Sequence, residues 1–304
     1  MRIVVVGAGG VGGYFGARLA AAGQDVTFVA RGRHLAAIQE HGLVVRSPLG
    51  EFASAVTAVP TIAEAPPADL VLIAVKLWDT EEVAAQLKPA VAAGARVMSL
   101  QNGVQKDDVL RAHVSADAVL GGVSYISAGI AEPGVIAHFG AMQKLVFGEF
   151  DGSTSALVTD FLAACGSAGV DAEVSANISR VIWEKFVFMV GLSATTAAVR
   201  QPIGVVRANT RTRALLRDVM AEVVAVGRAS GVDLTDEVDE RLAFVDTLPP
   251  DMAASMYHDL LRGGRLELPW LSGGVAALGA RLGVPTPRNS TVADVLAPYE
   301  SGAV

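Results

Sequence analysis

Short apolar runs alternate with helical periodicity through the first half of the chain. Met1–Val6 is an apolar run of strand length, and Asp69–Val75 is nearly continuous, as in a strand buried on both faces. The same pattern predicts strands at Asp25–Ala30, Leu43–Arg46, Ala53–Ala58, Arg96–Leu100, Val119–Ser127, Val135–Phe139 and Lys144–Gly148. It predicts helices at Val11–Ala22, His34–His41, Thr80–Ala93 and Ser153–Ala168. This alternation indicates a mostly parallel sheet with an added antiparallel part.

From about residue 177 the pattern becomes helical. Ile178–Val199 is apolar nearly all round, which indicates a buried helix. Further helices are predicted at Arg211–Ser230, Asp236–Thr247, Asp251–Arg262 and Trp270–Leu282, each followed by a glycine or proline. We therefore expect a domain over residues 1–175 that binds the cofactor and an all-helical domain over residues 176–304 that binds the substrate.

A glycine-rich turn separates the first predicted strand from the first helix. Its residues are Gly7, Ala8, Gly9, Gly10, Val11 and Gly12, which form G-x-G-x-x-G between a strand and a helix. Such a turn lets a pyrophosphate approach the backbone and the N–H groups of the helix N-terminus. The alternative is a purely structural turn. The predicted fold class is α/β, with an N-terminal Rossmann-type, mostly parallel sheet, added antiparallel strands and an all-α C-terminal domain.

Composition narrows the classes of function. The 304 residues are 52% hydrophobic and 18% charged, which indicates large cores. A formal net charge of −7 with scattered Lys and Arg argues against a nucleic-acid partner. We find neither a secretory signal nor a bilayer-length apolar stretch, so we expect a cytoplasmic protein with no membrane partner. The single Cys165 fits a reducing compartment, and the five histidines show no ligand spacing, so no metal is predicted.

Arg31 bears on the choice of cofactor. It follows the second strand, where a carboxylate would bond the 2′-OH of NAD and an arginine would accommodate the 2′-phosphate of NADP. No acidic residue stands at that point, so we expect NADPH. The alternative is a solvated arginine in a turn.

Two polar residues follow neighbouring strands. Lys76 comes directly after Asp69–Val75, and Asn102 comes after the next strand. Ligands of open α/β sheets bind outside the carboxyl ends of the strands, so both residues are expected to line the cofactor cleft. Asn102-Gly103 is also an ordinary turn signal.

Lys185 and Glu267 are the candidates for acid–base chemistry. Lys185 lies in the most apolar helix, where desolvation would lower the pKa of its amine and make proton donation easier. Alternatively, its stem is buried and its head reaches solvent. Glu267 precedes a helix predicted to begin at Pro269, where N–H groups could hold its carboxylate. It could equally be a plain charge at the entry to the helix.

In their order and spacing, these residues resemble the ketopantoate reductase (2-dehydropantoate 2-reductase) family over nearly the whole chain. The resemblance rests on Gly7–Gly12, Arg31-Gly32, Val75-Lys76, Gln101-Asn102-Gly103, Trp183–Phe186, Ser255-Met256, Glu267 and Gly283–Asn289. It implies an NADPH-dependent reductase of a branched 2-oxo acid, with Lys185 as the catalytic acid and Glu267 contacting the substrate hydroxyl. It also implies that Lys76 and Asn102 line the nicotinamide and substrate cleft, and that Ser255 binds the substrate carboxylate.

The chain departs from the family pattern in the substrate pocket. Family members that act on ketopantoate usually carry asparagines where this chain has Met189, Ser193 and Ser272. Lys185, Met189 and Ser193 share one helix face, so the first two changes fall on the pocket wall. Losing these amides is expected to weaken recognition of a hydroxylated substrate.

The favoured function is reduction of 2-dehydropantoate (ketopantoate) to pantoate, as in pantothenate biosynthesis. The alternatives are reduction of a different 2-oxo acid or of an imine, or a non-catalytic NADPH-binding sensor. The partner is a small 2-oxo acid. The alanine-rich helices of the second half could form a homodimer seam, but internal packing explains them equally well.

Overall fold

A computed structural model describes residues 1–235 and 237–303, which divide into two compact units. The first unit contains Met1–Gln101 and Lys106–Val181. The second contains the short segment Asn102–Gln105 and the chain from Ile182 onward. The segment Asn102–Gln105 therefore belongs to the helical unit, although both of its chain neighbours lie in the first.

The first unit is built on a mixed sheet. Its strands are Arg2–Val6 (β1), Asp25–Val29 (β2), Leu43–Arg46 (β3), Phe52–Ser54 (β4), Thr57–Val59 (β5), Leu70–Ile73 (β6), Arg96–Ser99 (β7), Val119–Glu132 (β8), Val135–Gly148 (β9) and Asp171–Val174 (β10). The order is β4-β3-β9-β8-β7-β6-β1-β2-β5, and β10 pairs with β9. Only β3–β4 and β8–β9 pair antiparallel among the described strands. The predicted fold class, mostly parallel with an antiparallel addition, is confirmed.

Helices flank this sheet. They are Gly10–Ala21 (α1), Gly32–His41 (α2), Thr80–Ala85 (α3), Lys88–Ala92 (α4), Lys106–His113 (α5) and Ala156–Ser167 (α6). The single helix predicted over Thr80–Ala93 is interrupted, because Pro89 in the first turn of α4 cannot donate a backbone hydrogen bond and would clash with the preceding turn. Pro89 is therefore the sequence signal for this interruption.

The hairpin of β8 and β9 is longer than the sequence suggested. Each strand has 14 residues, where two separate strands had been predicted in place of β9. The register between β8 and β9 shifts between Ile126 and Ala128 and again between Ile130 and Glu132, so the ladder is irregular at both places. These shifts interrupt the alternation of apolar and polar residues from which the strands were predicted.

Helix α5 was not predicted, because its first turn is charged. Lys106 and Asp107 are nevertheless buried, 2% and 3% exposed, and Lys106 Nζ lies 2.9 Å from Asp107 Oδ1. Burial raises the pKa of the Asp107 carboxyl, and the neighbouring Lys106 ammonium opposes that rise. Two charged residues at the start of this helix thus form a buried ion pair.

The second unit is helical. Its helices are Ile178–Val199 (α7), which begins in the first unit, then Ile203–Ala208 (α8), Thr210–Ala229 (α9), Glu237–Thr247 (α10), Ser255–Leu261 (α11), Ser272–Leu282 (α12) and Pro287–Leu296 (α13). Asp236, where the sequence predicted a helix to begin, lies outside the described residues. Helix α7 has the predicted bounds. Helices α8 and α13 were not predicted.

Helix α7 packs closely against α9. A Cβ on Gly191 would lie 2.5 Å from Met220 Cε and 2.7 Å from Met220 Cγ, so the Met220 side chain would have to shift to admit one. Phe186 and Val190 of α7 join the same core cluster as Met220 and Val223 of α9. By length and composition α7 could cross a membrane, but 67% of its most apolar window is buried inside the protein, as in a core helix.

Helix α13 begins on a carboxylate from another helix. Glu222 of α9 accepts hydrogen bonds from the backbone N–H groups of Arg288 at 2.8 Å and Asn289 at 2.9 Å. It also accepts from Asn289 Nδ2 at 2.8 Å. The pair Thr286-Pro287 was a usable start signal, since proline favours the first helical position. The motif near the chain end therefore serves to anchor this last helix.

Candidate active site

The glycine-rich turn joins β1 to α1, and packing requires three of its glycines. Gly7 has φ +102°, and a Cβ there would lie 2.8 Å from the backbone carbon of Ala74. A Cβ on Gly12 would collide with the Gly7 carbonyl oxygen. A Cβ on Gly10 would collide with the carbonyl oxygen of Ala128 in β8. The third contact comes from the long hairpin and was not predicted.

Gly9 differs from these three, because the space beside it is open. A Cβ at Gly9 would meet nothing within 4 Å. Gly9 caps α1 with extended backbone and no side-chain hydrogen bond, and the first turn of α1 contains no acidic residue. The N–H groups of that turn have no partners within the helix, so the turn offers donors and a partial positive charge. These features fit the pyrophosphate of a dinucleotide.

His34 fixes the same turn and was missed in the sequence reading. Its Nε2 lies 2.8 Å from the Ala8 carbonyl oxygen, and the backbone N–H of Gly134 donates to Nδ1 at 3.0 Å. Because Nδ1 accepts, we assign the hydrogen to Nε2, and the ring donates to Ala8. No sequence signal pointed to this role, since both partners are backbone atoms.

Arg31 lies at the position expected for recognition of the adenosine ribose. It is the N-cap of α2, two residues beyond the end of β2, and its side chain is 61% exposed. Its guanidinium lies 4.0 Å from Asp79 Oδ1 and 3.7 Å from Glu82 Oε1. Exposed pairs at such distances contribute little, so the guanidinium can exchange them for a phosphate.

Lys76 extends from the connection after β6. It is exposed, and its Nζ lies 5.5 Å from the ring centroid of Trp78. The backbone carbonyls of Val75 and Lys76 in this connection accept hydrogen bonds from the buried side chain of Gln101. This role of Gln101 was not predicted from the sequence. Lys76 and Gln101 both belong to the first unit.

Within the second unit, Lys185 and Asn102 are in direct contact. Lys185 is 9% exposed, and its Nζ donates to Asn102 Oδ1 at 2.8 Å. Gln105 donates from Nε2 to the Trp270 carbonyl at 3.4 Å. The segment Asn102–Gln105 therefore reaches both the buried lysine and the turn that follows Glu267.

Glu267 is buried, 8% exposed, but it does not precede an α-helix directly. A 3₁₀ turn, Leu268–Trp270, comes first, and α12 begins at Ser272. The backbone carbonyl of Glu267 accepts from the N–H groups of Trp270 and Leu271 at 3.1 and 3.2 Å. Its carboxylate makes no capping bond to the turn, so helix entry alone does not explain this residue.

The positions matched to the substrate pocket differ in burial. Met189 is half-buried on α7 and Ser255 is exposed in the first turn of α11. Ser193 and Ser272 are 1% and 0% exposed, and their hydroxyls have no hydrogen-bond partner within the described chain. Buried hydroxyls without partners are uncommon.

Comparison with known proteins gives a consistent result across the chain. The family described as "Ketopantoate reductase PanE/ApbA" matches residues 3–152. The family described as "Ketopantoate reductase PanE/ApbA C terminal" matches residues 177–300. The second match contains Lys185, Met189, Ser193, Ser255 and Glu267.

Individual relatives cover almost the whole chain. A 2-dehydropantoate 2-reductase of Halobacterium salinarum is 34% identical over 301 residues, covering 97% of this chain and 98% of that protein. An uncharacterized oxidoreductase of Bacillus subtilis is 29% identical, covering 99% of both. The crystal structure of a ketopantoate reductase from Ralstonia eutropha has a TM-score of 0.90 at 34% identity, covering 99% of this chain and 98% of that one.

Proposed function

The chain belongs to the ketopantoate reductase family of oxidoreductases, and we propose that it reduces 2-dehydropantoate to pantoate with NADPH. The observation that carries the proposal is the buried Lys185 ammonium, held by Asn102 at 2.8 Å. A buried lysine is costly unless it has partners, and proton donation is a reason to keep one. The relatives named 2-dehydropantoate 2-reductase support the substrate.

The first unit supplies the proposed cofactor site. Gly7, Ala8, Gly9, Gly10, Val11 and Gly12 provide the turn and helix N-terminus for the pyrophosphate. Arg31 binds the 2′-phosphate, and Lys76 lies beside the nicotinamide. When bound, the nicotinamide supplies the hydride.

The second unit supplies the proposed acid. As hydride reaches the carbonyl carbon of the substrate, negative charge grows on the carbonyl oxygen. Lys185 stabilises that charge and donates the proton, while Asn102 holds the ammonium in place. Glu267 orients the hydroxyl that forms, and Ser255 binds the substrate carboxylate.

A second candidate is reduction of a different 2-oxo acid or of an imine. The observation that favours it is the pocket face of α7, where Met189 and Ser193 follow Lys185 at helical spacing. Neither side chain supplies the amide that family asparagines offer to a hydroxylated substrate. This candidate keeps the same cofactor and the same acid.

Steady-state kinetics distinguish the candidates. NADPH oxidation is followed by absorbance with ketopantoate and with 2-oxoisovalerate, which lacks the hydroxymethyl group, each with and without an added amine. We expect the highest kcat/KM with ketopantoate. A higher kcat/KM for 2-oxoisovalerate, or turnover that requires the amine, supports the second candidate. NADPH binding without turnover of any substrate would contradict both.

A further inference from the structure

The side chain of Gln101 makes a hydrogen-bond network at the end of β7. Gln101 is buried, 7% exposed, and its Oε1 accepts from Ser99 Oγ at 2.9 Å. Its Nε2 donates to the Val75 carbonyl at 3.0 Å, with the Lys76 carbonyl at 3.3 Å. Nε2 also donates to Thr80 Oγ1 at 2.8 Å. The acceptors of Nε2 lie on the connection after β6 and on Thr80, the first residue of α3.

The hydrogen-bond partners of Gln101 fix the orientation of its side-chain amide. Thr80 Oγ donates to the Leu77 carbonyl at 2.8 Å, so its oxygen is left to accept from Gln101. A flipped amide would point its oxygen at the carbonyl oxygens of Val75 and Lys76, which can only accept. The amide of Gln101 is therefore fixed, and it fixes the connection that carries Lys76.

The same connection is in contact with the glycine-rich turn. A Cβ on Gly7 would lie 2.8 Å from Ala74 C and from Val75 N, and Ala74 N donates to the Val6 carbonyl at 2.8 Å. The connection after β6 thus meets the Gly7 backbone and the Gln101 side chain. A shift on the Gln101 side would be passed to Lys76, whereas Gly7 is also held by β2, because its N–H donates to the Val29 carbonyl at 3.0 Å.

We propose that Gln101 is a positioning residue, which holds the Val75–Lys76 backbone so that Lys76 stays in place beside the nicotinamide. The part that concerns the nicotinamide rests on the proposed function, whereas the hold on the backbone does not. Without the amide, the Val75 carbonyl and the Thr80 hydroxyl lose a buried partner, and the connection can move. A displacement of about 1 Å near reacting groups can lower a rate by about 10²-fold.

The test compares the wild-type chain with Gln101→Met, which keeps the side-chain length and removes the amide. Hydrogen exchange of the peptide over residues 74–79 is measured without ligand. Dissociation constants are measured for NADPH and for 2′,5′-ADP, which has the adenosine half but no nicotinamide. We expect faster exchange in that peptide, NADPH binding weaker by about tenfold and 2′,5′-ADP binding unchanged. Ser99→Ala, a milder change, should give smaller shifts in the same directions.

Val97→Ala is the matched control, since Val97 is fully buried in β7 but makes no bond to Gln101. It should lower stability without changing the ratio of the two dissociation constants. Unchanged exchange over residues 74–79 in Gln101→Met would overturn the proposal, and so would equal weakening of both nucleotides. Failure of the wild type to bind either nucleotide would contradict the proposed function, and the exchange result would still decide whether Gln101 holds the connection.

Discussion

Lys185 donates from Nζ to Asn102 Oδ1 at 2.8 Å, although 83 residues separate them in the chain. An ammonium can only donate, so the oxygen of the amide has to face it. The pair joins the long apolar helix to the segment that leaves β7. Two residues that the sequence proposed separately for the active site are therefore in direct contact.

Replacing Lys185 should remove most of the catalysis and little of the cofactor binding. In Lys185→Ala we expect kcat to fall by about 10²-fold or more, the range for a positioned acid, because the developing oxyanion loses its proton donor. Steady-state kinetics and NADPH fluorescence titration measure the two quantities. Lys185→Met, which keeps the packed stem, should behave in the same way. An alanine variant with wild-type kcat would rule out this role.

Arg31→Ala should weaken NADPH binding and leave NADH binding nearly unchanged. A charge-assisted bond to phosphate contributes about 1.5–3 kcal/mol, which corresponds to about tenfold or more in the dissociation constant. Arg33→Ala is the control, because Arg33 is also exposed and lies in the same helix. Titrations of both nucleotides give the comparison. Equal losses for NADPH and NADH would show that Arg31 does not read the 2′-phosphate.

Met189→Asn should shift the substrate preference toward the hydroxylated oxo acid. Met189 is half-buried one turn after Lys185, and asparagine is smaller, so the amide fits without overpacking. We expect kcat/KM for ketopantoate relative to 2-oxoisovalerate to rise by about tenfold. Ser193→Asn is a useful contrast, because Ser193 is 1% exposed and a larger side chain should cost stability. If the ratio of the two kcat/KM values is unchanged in Met189→Asn, this position does not determine substrate specificity.

Cys165 should make stability depend on pH in alkaline solution. Burial raises the pKa of its thiol from 9.0 to about 12. The unfolded state therefore loses its proton first, and stability that is fully present below pH 9 is lost as pH rises toward 12. By about pH 10.5 the difference in unfolding free energy between wild type and Cys165→Ala should fall by about 2 kcal/mol. Urea unfolding at pH 8 and at the higher pH tests this, and a constant difference would refute it.

The local pattern of apolar residues predicted an element well where that element has uniform surroundings. Helix α7 has the predicted bounds, because it is buried nearly all round. Strand β1 begins one residue after the predicted start and ends at the predicted Val6, because it lies inside a parallel sheet. The family was also correctly identified from residues spread along the chain. Position relative to strand ends placed Arg31 and Lys76 on the connections where they are found.

The remainder depends on contacts between distant parts of the chain. His34 and Gln101 act on backbone carbonyls, which a pattern of side chains does not reveal. The burial of Lys106 could not be inferred from a charged first turn. The roles assigned to Lys185, Glu267 and Ser255 stay predictions.

The carboxylate of Glu222 makes the last helix a product of tertiary structure. Its three donors lie 66 and 67 residues further along the chain. A synthetic peptide spanning Pro287–Leu296 would therefore lack the group that starts its helix, and would be disordered in water. A chain truncated before Thr286 would in turn leave that acid without its donors. Arg288 and Asn289 therefore have to be synthesised before α9 acquires its final surroundings.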